Sequence, residues 1–277
     1  MSRLCIVTAS TQPLKTLPFW STWFDGKILN ETMIVMVLNG RGAYEEGKKV
    51  AEMTGSGSYP VLLLSKDYGV VPNFQKGIRE ARDNLLSEND VILCLHDDVA
   101  INQLGWDEQI LEWISQDRKN DLFGFGGATS LGRLGMYDEP YDPTSLARGG
   151  FVSNMRDAEA HGSREIRVRR VAVLDGFSIG GPAHLMDSLF SLMKHRLGIV
   201  HHAYDAAVGC YAARWNIPVW LFPIACHHHG GMTAVADKNY NEWALSVREE
   251  GDQSFWKEAH RVCYNEFQDV LPFSTTW

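Results

Sequence analysis

Apolar residues in the N-terminal part of the chain come in short unbroken runs: Leu4 to Ala9, Met33 to Leu38, Val61 to Leu64 and Val91 to Leu95. Each run stops at polar or small residues, namely Ser10-Thr11, Asn39-Gly40, Ser65-Lys66 and His96-Asp97-Asp98. Runs of this length without polar alternation are the pattern of strands covered on both faces, as in a parallel sheet. Helical spacing appears between them and after them. In Asn73 to Leu86 the residues Phe74, Ile78, Ala81 and Leu85 share a face, and Trp106 to Ile114 places two tryptophans and three aliphatic residues on a broad one. Strands alternating with helices predict βαβ units whose carboxyl ends form one polar rim, the place where open α/β sheets bind ligands.

Beyond Leu122 to Phe125, another short strand, the pattern changes. Ser130 to Ser163 is dominated by Gly, Pro, Asp and Tyr and carries no apolar period, so it reads as a long functional loop. Regularity returns with a strand over Ile166 to Leu174, a helix over His184 to Lys194 and a second helix after Asp205. A last strand over Pro218 to Ala225 runs into Cys226-His227-His228-His229-Gly230-Gly231. Asn241 to Phe267 is again helical in spacing, with Trp243, Leu245, Phe255, Trp256 and Phe267 available to pack on the body or on a second copy. No repeat, low-complexity stretch or interdomain linker is visible.

Composition narrows the class. With 277 residues, 45% of them apolar, the chain can bury a large core. No apolar run reaches the roughly 18 residues of a membrane span, and no basic-then-apolar leader opens the chain, so a soluble cytoplasmic protein is expected. The five cysteines (Cys5, Cys94, Cys210, Cys226, Cys263) lie in apolar surroundings without a CxxC pair, which argues against a disulfide framework or a cysteine zinc site. A net charge of −8 speaks against broad binding to nucleic acid. Arg164, Arg167, Arg169 and Arg170 form one local basic run, read as a solvated strand face.

The chemistry concentrates at strand ends. Asp97 and Asp98 follow the buried run Val91 to Leu95 directly, and the three histidines follow the last strand into the same sheet. A carboxylate and imidazoles so placed fit a divalent cation. Side chains alternate along an extended chain, so His227 and His229 face one way and His228 the other. Asp98 with His227 or His229 is the expected metal set, the alternative being a surface histidine cluster. Thr8, Ser10 and Asn39 end the first two strands and fit either nucleotide contacts or plain turns. Asp205 precedes an apolar helix and fits a helix N-cap as well as a general base, and Asp175, before a glycine, fits either an acceptor contact or a turn.

Taken in order, several segments resemble the inverting glycosyltransferases of family two, over roughly Leu4 to Gly231. Gly69-Val70-Val71-Pro72-Asn73-Phe74-Gln75-Lys76-Gly77-Ile78 is similar to the helix start that precedes the metal strand. Leu95-His96-Asp97-Asp98-Val99 is similar to the DxD region with His at its first position. Val173-Leu174-Asp175-Gly176-Phe177 resembles the acceptor-side turn, and His202-Ala203-Tyr204-Asp205 the start of the base-bearing helix. Pro223-Ile224-Ala225-Cys226-His227 with Gly230-Gly231 resembles the strand that delivers a metal histidine.

The resemblance implies an α/β GT-A fold. Its Rossmann-like nucleotide-binding half with a mainly parallel central sheet (1–99) is fused to an acceptor-binding half (100–231), followed by a helical C-terminal extension (232–277). It further implies transfer of a hexosyl unit from a nucleotide-diphosphate sugar to an acceptor hydroxyl, with Mn²⁺ or Mg²⁺ on Asp98. Asp205 becomes the base, and His96 or Asp97 the ribose contact. The acceptor is left open among a glycan, a protein, a small molecule and a modified DNA base, and the C-terminal tail is a possible homo-oligomer contact. Tyr211-Ala212-Ala213-Arg214-Trp215 lacks the Gln of the QxxRW element of processive synthases, so Arg214 and Trp215 are assigned to helix packing. Two other classes compete. A metal-dependent phosphohydrolase or nucleotidyltransferase would need further acids at strand ends, where Ser, Asn and Lys stand instead. A non-catalytic nucleotide-sugar-binding protein would have no use for Asp205.

Overall fold

The computed structural model describes residues 3–26, 32–53, 60–85, 90–115, 118–132, 146–155, 162–230 and 255–275. In chain order the first strands and helices are β1 (Leu4–Ser10), α1 (Pro13–Asp25), β2 (Met33–Asn39), α2 (Gly40–Met53), β3 (Val61–Ser65), α3 (Val70–Glu80) and β4 (Val91–Leu95). They alternate as the apolar runs predict. β1, β2, β3 and β4 pair in parallel, with β1 between β4 and β2. Next come β5 (Val99–Ile101), α4 (Trp106–Ser115), β6 (Leu122–Gly124), β7 (Gly126–Leu131), β8 (Arg148–Ser153), β9 (Ser163–Arg164), β10 (Arg169–Arg170), β11 (Val173–Leu174) and β12 (Ser178–Pro182). The chain continues through α5 (Ala183–Ser191), α6 (Tyr204–Arg214), β13 (Val219–Leu221), β14 (Cys226–His228), α7 (Phe255–Phe267) and β15 (Phe273–Ser274).

Eight strands make the main sheet, in the order β10-β13-β6-β12-β4-β1-β2-β3, with β12 antiparallel to both its neighbours. Alternate side chains of each central strand enter opposite cores. Cys5, Val7, Ile92 and Cys94 pack with Phe74, Leu189, Cys210 and Phe267 under α3, α5, α6 and α7, whereas Leu4, Ile6, Leu93 and Leu95 pack with Trp20, Trp23, Trp106 and Ile110 under α1 and α4. Both faces are therefore dry, and the buried strands read as continuous apolar runs for that reason. Helix α3 lies so close to the sheet that a Cβ on Gly77 would stand 2.4 Å from Val7 Cγ1. That approach sets the height of Asn73 and Phe74 at the rim.

Three sequence-based expectations need correction. The long loop over Ser130 to Ser163 contains β8, which pairs antiparallel with β7 and in parallel with β9 in a second sheet; 133–145 and 156–161 lie outside the described residues. Gly149 and Gly150 inside β8 hide the strand from any apolar count. The expected strand Ile166 to Leu174 is two short strands in different sheets, β10 on β13 and β11 on β7. The expected last strand stops at Leu221, and the histidines belong to β14, which pairs with β5 in a small sheet of its own. Of the tail expected to be helical from Asn241 to Phe267, Phe255–Phe267 is helix, and 231–254 lie outside the described residues.

The tail is built into the body. Cys263, Tyr264 and Phe267 belong to the main core, and β15 pairs with β7. Arg214 stacks on the Phe267 ring at 4.5 Å and binds Glu266 at 3.0 Å, which is the packing role expected for it. Trp215 instead stays 63% exposed. No described helix is long and apolar enough to cross a membrane.

Candidate active site

A cavity of about 350 Å³ opens at the carboxyl ends of β1, β2 and β4, where the alternation of the sheet predicts the rim. One wall is a tight turn. β4 ends at Leu95, His96 N–H donates to Phe177 O at 2.9 Å, and Val99 N–H returns to His96 O at 3.4 Å. Asp97 and Asp98 occupy the middle of the turn and diverge. Asp97 points down and accepts hydrogen bonds from Ser10 and Thr16, and its carboxyl is pushed up to about 7 by burial and by the neighbouring charge of Asp98. Asp98 points towards the histidine strand.

Strand β5, starting at Val99, carries the turn into register with β14: His228 stands opposite Val99, and His229 N–H donates to Asp98 O at 3.0 Å. This register decides which histidine meets the acid. His228 Nε2 lies 3.3 Å from Asp98 Oδ1, and its ring stacks on Phe177 at 4.9 Å and meets the His96 ring edge-on at 5.5 Å. His227 and His229 pack on each other at 4.0 Å, with Phe19 4.2 Å from His229. The alternation expected from the sequence holds, but the other face is presented to Asp98, so His228 replaces His227 and His229 beside the carboxylate.

His96, Asp98 and His228 each offer a ligand atom within 4.8 Å of the others. The tautomer of His96 follows from its partner. The single hydroxyl proton of Tyr204 is donated to Gly176 O at 2.7 Å, so at 2.9 Å His96 Nε2 donates to Tyr204 Oη and Nδ1 keeps the lone pair. Burial pulls the His96 pKa down to about 4 against the pull of Asp98, which keeps the ring neutral at pH 7. Burial also works against the charge of Asp98, but the imidazoles of His228 and His96 outweigh it and hold the carboxyl below its ordinary range. Asp98 Oδ1 is buried and accepts no aligned hydrogen bond among the described residues. One carboxylate oxygen and two imidazole nitrogens make a donor set that fits a divalent cation.

The opposite wall comes from α6. Ala203 adopts a left-handed conformation (φ 62°), uncommon for a residue with a Cβ, and turns the chain so that Tyr204 and Asp205 enter the cavity at the first turn of the helix. Ala203 thus holds the N-cap position, and Asp205 lies inside the helix, contrary to the N-cap reading. Asp205 Oδ1 accepts the Ala206 N–H at 2.8 Å, and Oδ2 is bound by the Arg148 guanidinium. Arg148 resists its own burial through Asp205 and Asp175, which raise its pKa further. A Cβ on Gly176 would stand 2.4 Å from Tyr204 Oη, so only glycine lets Tyr204 reach His96.

Of the other expected residues, Ser10, Asn39, His96 and Asp97 line the cavity. Thr8 does not: it is fully buried within β1, on the face carrying Leu4 and Ile6. Asp175 shapes a turn, donating its N–H to Gly126 O at 2.8 Å and accepting from Ser178 N–H at 3.2 Å, with its charge felt by Arg148. Sequence reasoning missed Arg148, hidden in the glycine-rich stretch, and the pair His201-His202, all of which line the cavity. His201 Nδ1 accepts the Val70 N–H at 3.4 Å, and burial takes its pKa down to about 3. His260, from α7, also lines the cavity and carries no sequence signal beyond its helical position.

No protein-family model matches the chain, and no curated protein matches its sequence. Among solved structures, the chain is similar to the mannosyltransferase PcManGT from Pyrobaculum calidifontis in complex with GDP-Man and Mn²⁺. The TM-score is 0.52 at 14% identity, over 95% of this chain and 69% of that one. It also matches S. aureus TarS 1–349 with a TM-score of 0.47 at 12% identity, covering 98% of this chain and 71% of that chain. At these identities the likeness is one of fold: the chain has the GT-A-like α/β architecture of a glycosyltransferase, as the resemblance in its sequence implied.

Proposed function

We propose that this protein is an inverting glycosyltransferase that moves a hexosyl unit from a nucleotide-diphosphate sugar to an acceptor hydroxyl. The observation that carries the reading is the convergence, on one cavity at the rim of a GT-A-like sheet, of the His96-Asp98-His228 cluster and the helix-borne Asp205. The GDP-Man and Mn²⁺ of the mannosyltransferase complex support a nucleotide sugar and a divalent cation in general.

Asp98, His228 and His96 would hold Mn²⁺ or Mg²⁺. Such a cation supplies positive charge where a departing diphosphate gathers negative charge. The rest falls to the chain's own groups. Asn39 and Asn73 line the cavity with buried amide oxygens that accept no hydrogen bond among the described residues, and these fit the N–H or O–H donors of a nucleoside. Asp205 receives the acceptor proton as attack proceeds. Its carboxylate has lone pairs beyond those used by Ala206 N–H and Arg148, and Arg148 fixes its orientation.

A panel of UDP-, GDP- and dTDP-sugars, assayed for nucleoside diphosphate release with Mn²⁺ and with EDTA, tests the reading. Slow metal-dependent release from one nucleotide class is expected. Phosphate release from simple esters instead, or donor turnover undiminished in EDTA, would overturn it.

A further inference from the structure

Between β9 and β10 the chain Arg164-Glu165-Ile166-Arg167-Val168-Arg169-Arg170 forms a loop that is ordered from within. Glu165 Oε1 accepts the backbone N–H groups of Ile166 and of Arg167, each at 3.0 Å, and Oε2 accepts from Arg169 Nη1 at 3.1 Å. The Glu165 N–H donates to Ser153 O at 2.8 Å, tying the loop to β8. The only acid of this loop is thus spent inside it, and what it displays outward is apolar and cationic. Ile166 is 67% exposed and Val168 37%.

A second basic segment joins this one through Trp220. Arg170 lies over its ring at 5.2 Å and Arg118 at 4.7 Å, which brings Arg118 and the exposed Lys119 beside the loop. Residues 118–121 and 162–170 together hold six basic and two acidic side chains in a chain whose net charge is −8. Among the described residues β10 stands at the edge of the main sheet, with no further strand paired to its outer side.

Singly exposed apolar residues are ordinary, but an isoleucine held at the tip of an internally bonded loop and ringed by arginines is a built arrangement. A soluble polyanion would use the cations and have no use for Ile166. A bilayer with anionic headgroups uses both: the cations lie at the headgroup phosphates while the apolar tip enters the boundary with the acyl chains. We propose that this loop, with Arg118 and Lys119, docks the protein on an anionic lipid surface. The proposal is independent of the transfer reaction.

Co-sedimentation with large unilamellar vesicles tests it, comparing phosphatidylcholine alone with phosphatidylcholine containing about 30% phosphatidylglycerol. The full chain should sediment only with the anionic vesicles, and high salt should release it. Each cation near such a surface is worth about fivefold in partitioning, so Arg164→Glu/Arg167→Glu should weaken binding by about 25-fold or more. Ile166→Ser should weaken it by about fivefold. Melting curves by circular dichroism, unchanged in both variants, show that the loss is not one of folding. Absence of sedimentation with anionic vesicles at low salt overturns the proposal, as does equal sedimentation of the parent and both variants. If soluble polyphosphate strips the protein from vesicles while Ile166→Ser sediments like the parent, the partner is a polyanion in solution and the lipid proposal fails.

Discussion

Two carboxylates of the cavity, Asp98 and Asp205, are compensated in opposite ways. Asp205 has a cation from its own chain, since Arg148 binds Oδ2 and Ala206 N–H takes Oδ1. Among the described residues Asp98 is flanked by the imidazoles of His228 and His96, the latter kept neutral by burial, and its Oδ1 accepts no aligned hydrogen bond. A buried carboxylate without a cation is costly unless something arrives to balance it. One end of the cavity is therefore complete as folded, and the other fits a positive ion from solution. The completed end is suited to holding its carboxylate fixed in place, as a positioned proton acceptor must be, and the open end to taking up a charge together with the substrate.

Removing the acid at the open end should have the largest effect. Asp98→Asn deletes the one anionic ligand, so Mn²⁺-dependent donor turnover should fall by about 10³-fold or more, with Mn²⁺ binding lost in a direct titration. His228→Ala should weaken Mn²⁺ binding by about 10²-fold, and His227→Ala should leave it nearly unchanged. The reverse order for the two histidines would show that β14 sits in another register in solution.

At the completed end, Asp205→Asn should slow transfer by about 10²- to 10⁴-fold while leaving donor affinity close to that of the parent. The same variant leaves the Arg148 guanidinium without its carboxylate. Breaking a buried pair typically costs about 3 kcal/mol or more, and the low end applies because a fifth of the Arg148 side-chain surface remains exposed. Combining Asp205→Asn with Arg148→Met should restore most of that stability without restoring activity. A double-mutant cycle by urea denaturation checks this, and additive losses would dissolve the pairing on which the contrast rests.

The two ends also differ in how far they could be read from sequence. Asp97 and Asp98 follow a buried apolar run that marks its own end, so the rim, the sheet and the acids were legible together. Asp205 was legible as well, since the resemblance implies a base in the first turn of this helix; what the sequence left open was the N-cap, which the left-handed Ala203 holds. Which histidine meets Asp98 depends on the pairing of β14 with β5, a contact between residues more than a hundred positions apart that no local pattern encodes. Arg148 was hidden for a different reason. Its strand carries two glycines and a serine, and β8 is held by pairing with β7 rather than by an apolar face of its own. Local periodicity reports burial, and both misses were matters of register and long-range pairing.

The last expected effect concerns Asp97, which is held in its raised state by burial. In metal-free protein, His96 and His201 have folded pKa values of about 4 and about 3, below the ordinary 6.5. The native state thus refuses protons that the unfolded chain binds, and stability is lost as pH falls from 6.5 towards 4. Asp97 runs the other way: its folded pKa of about 7, raised from 3.8, means the native state keeps a proton that the unfolded chain releases, so its stabilisation fades as pH rises towards 7. Two histidines against one acid leave one net proton between pH 4 and 6.5, a rise of about 1.4 kcal/mol per pH unit from these three groups. Asp97→Asn removes the opposing slope, so the difference in unfolding free energy between variant and parent should itself grow by about 1.4 kcal/mol per pH unit up to about pH 7 and then level off. Urea titrations of both proteins in EDTA across pH 4 to 8 measure that difference directly, and parallel profiles would mean that Asp97 ionises as an ordinary surface acid does.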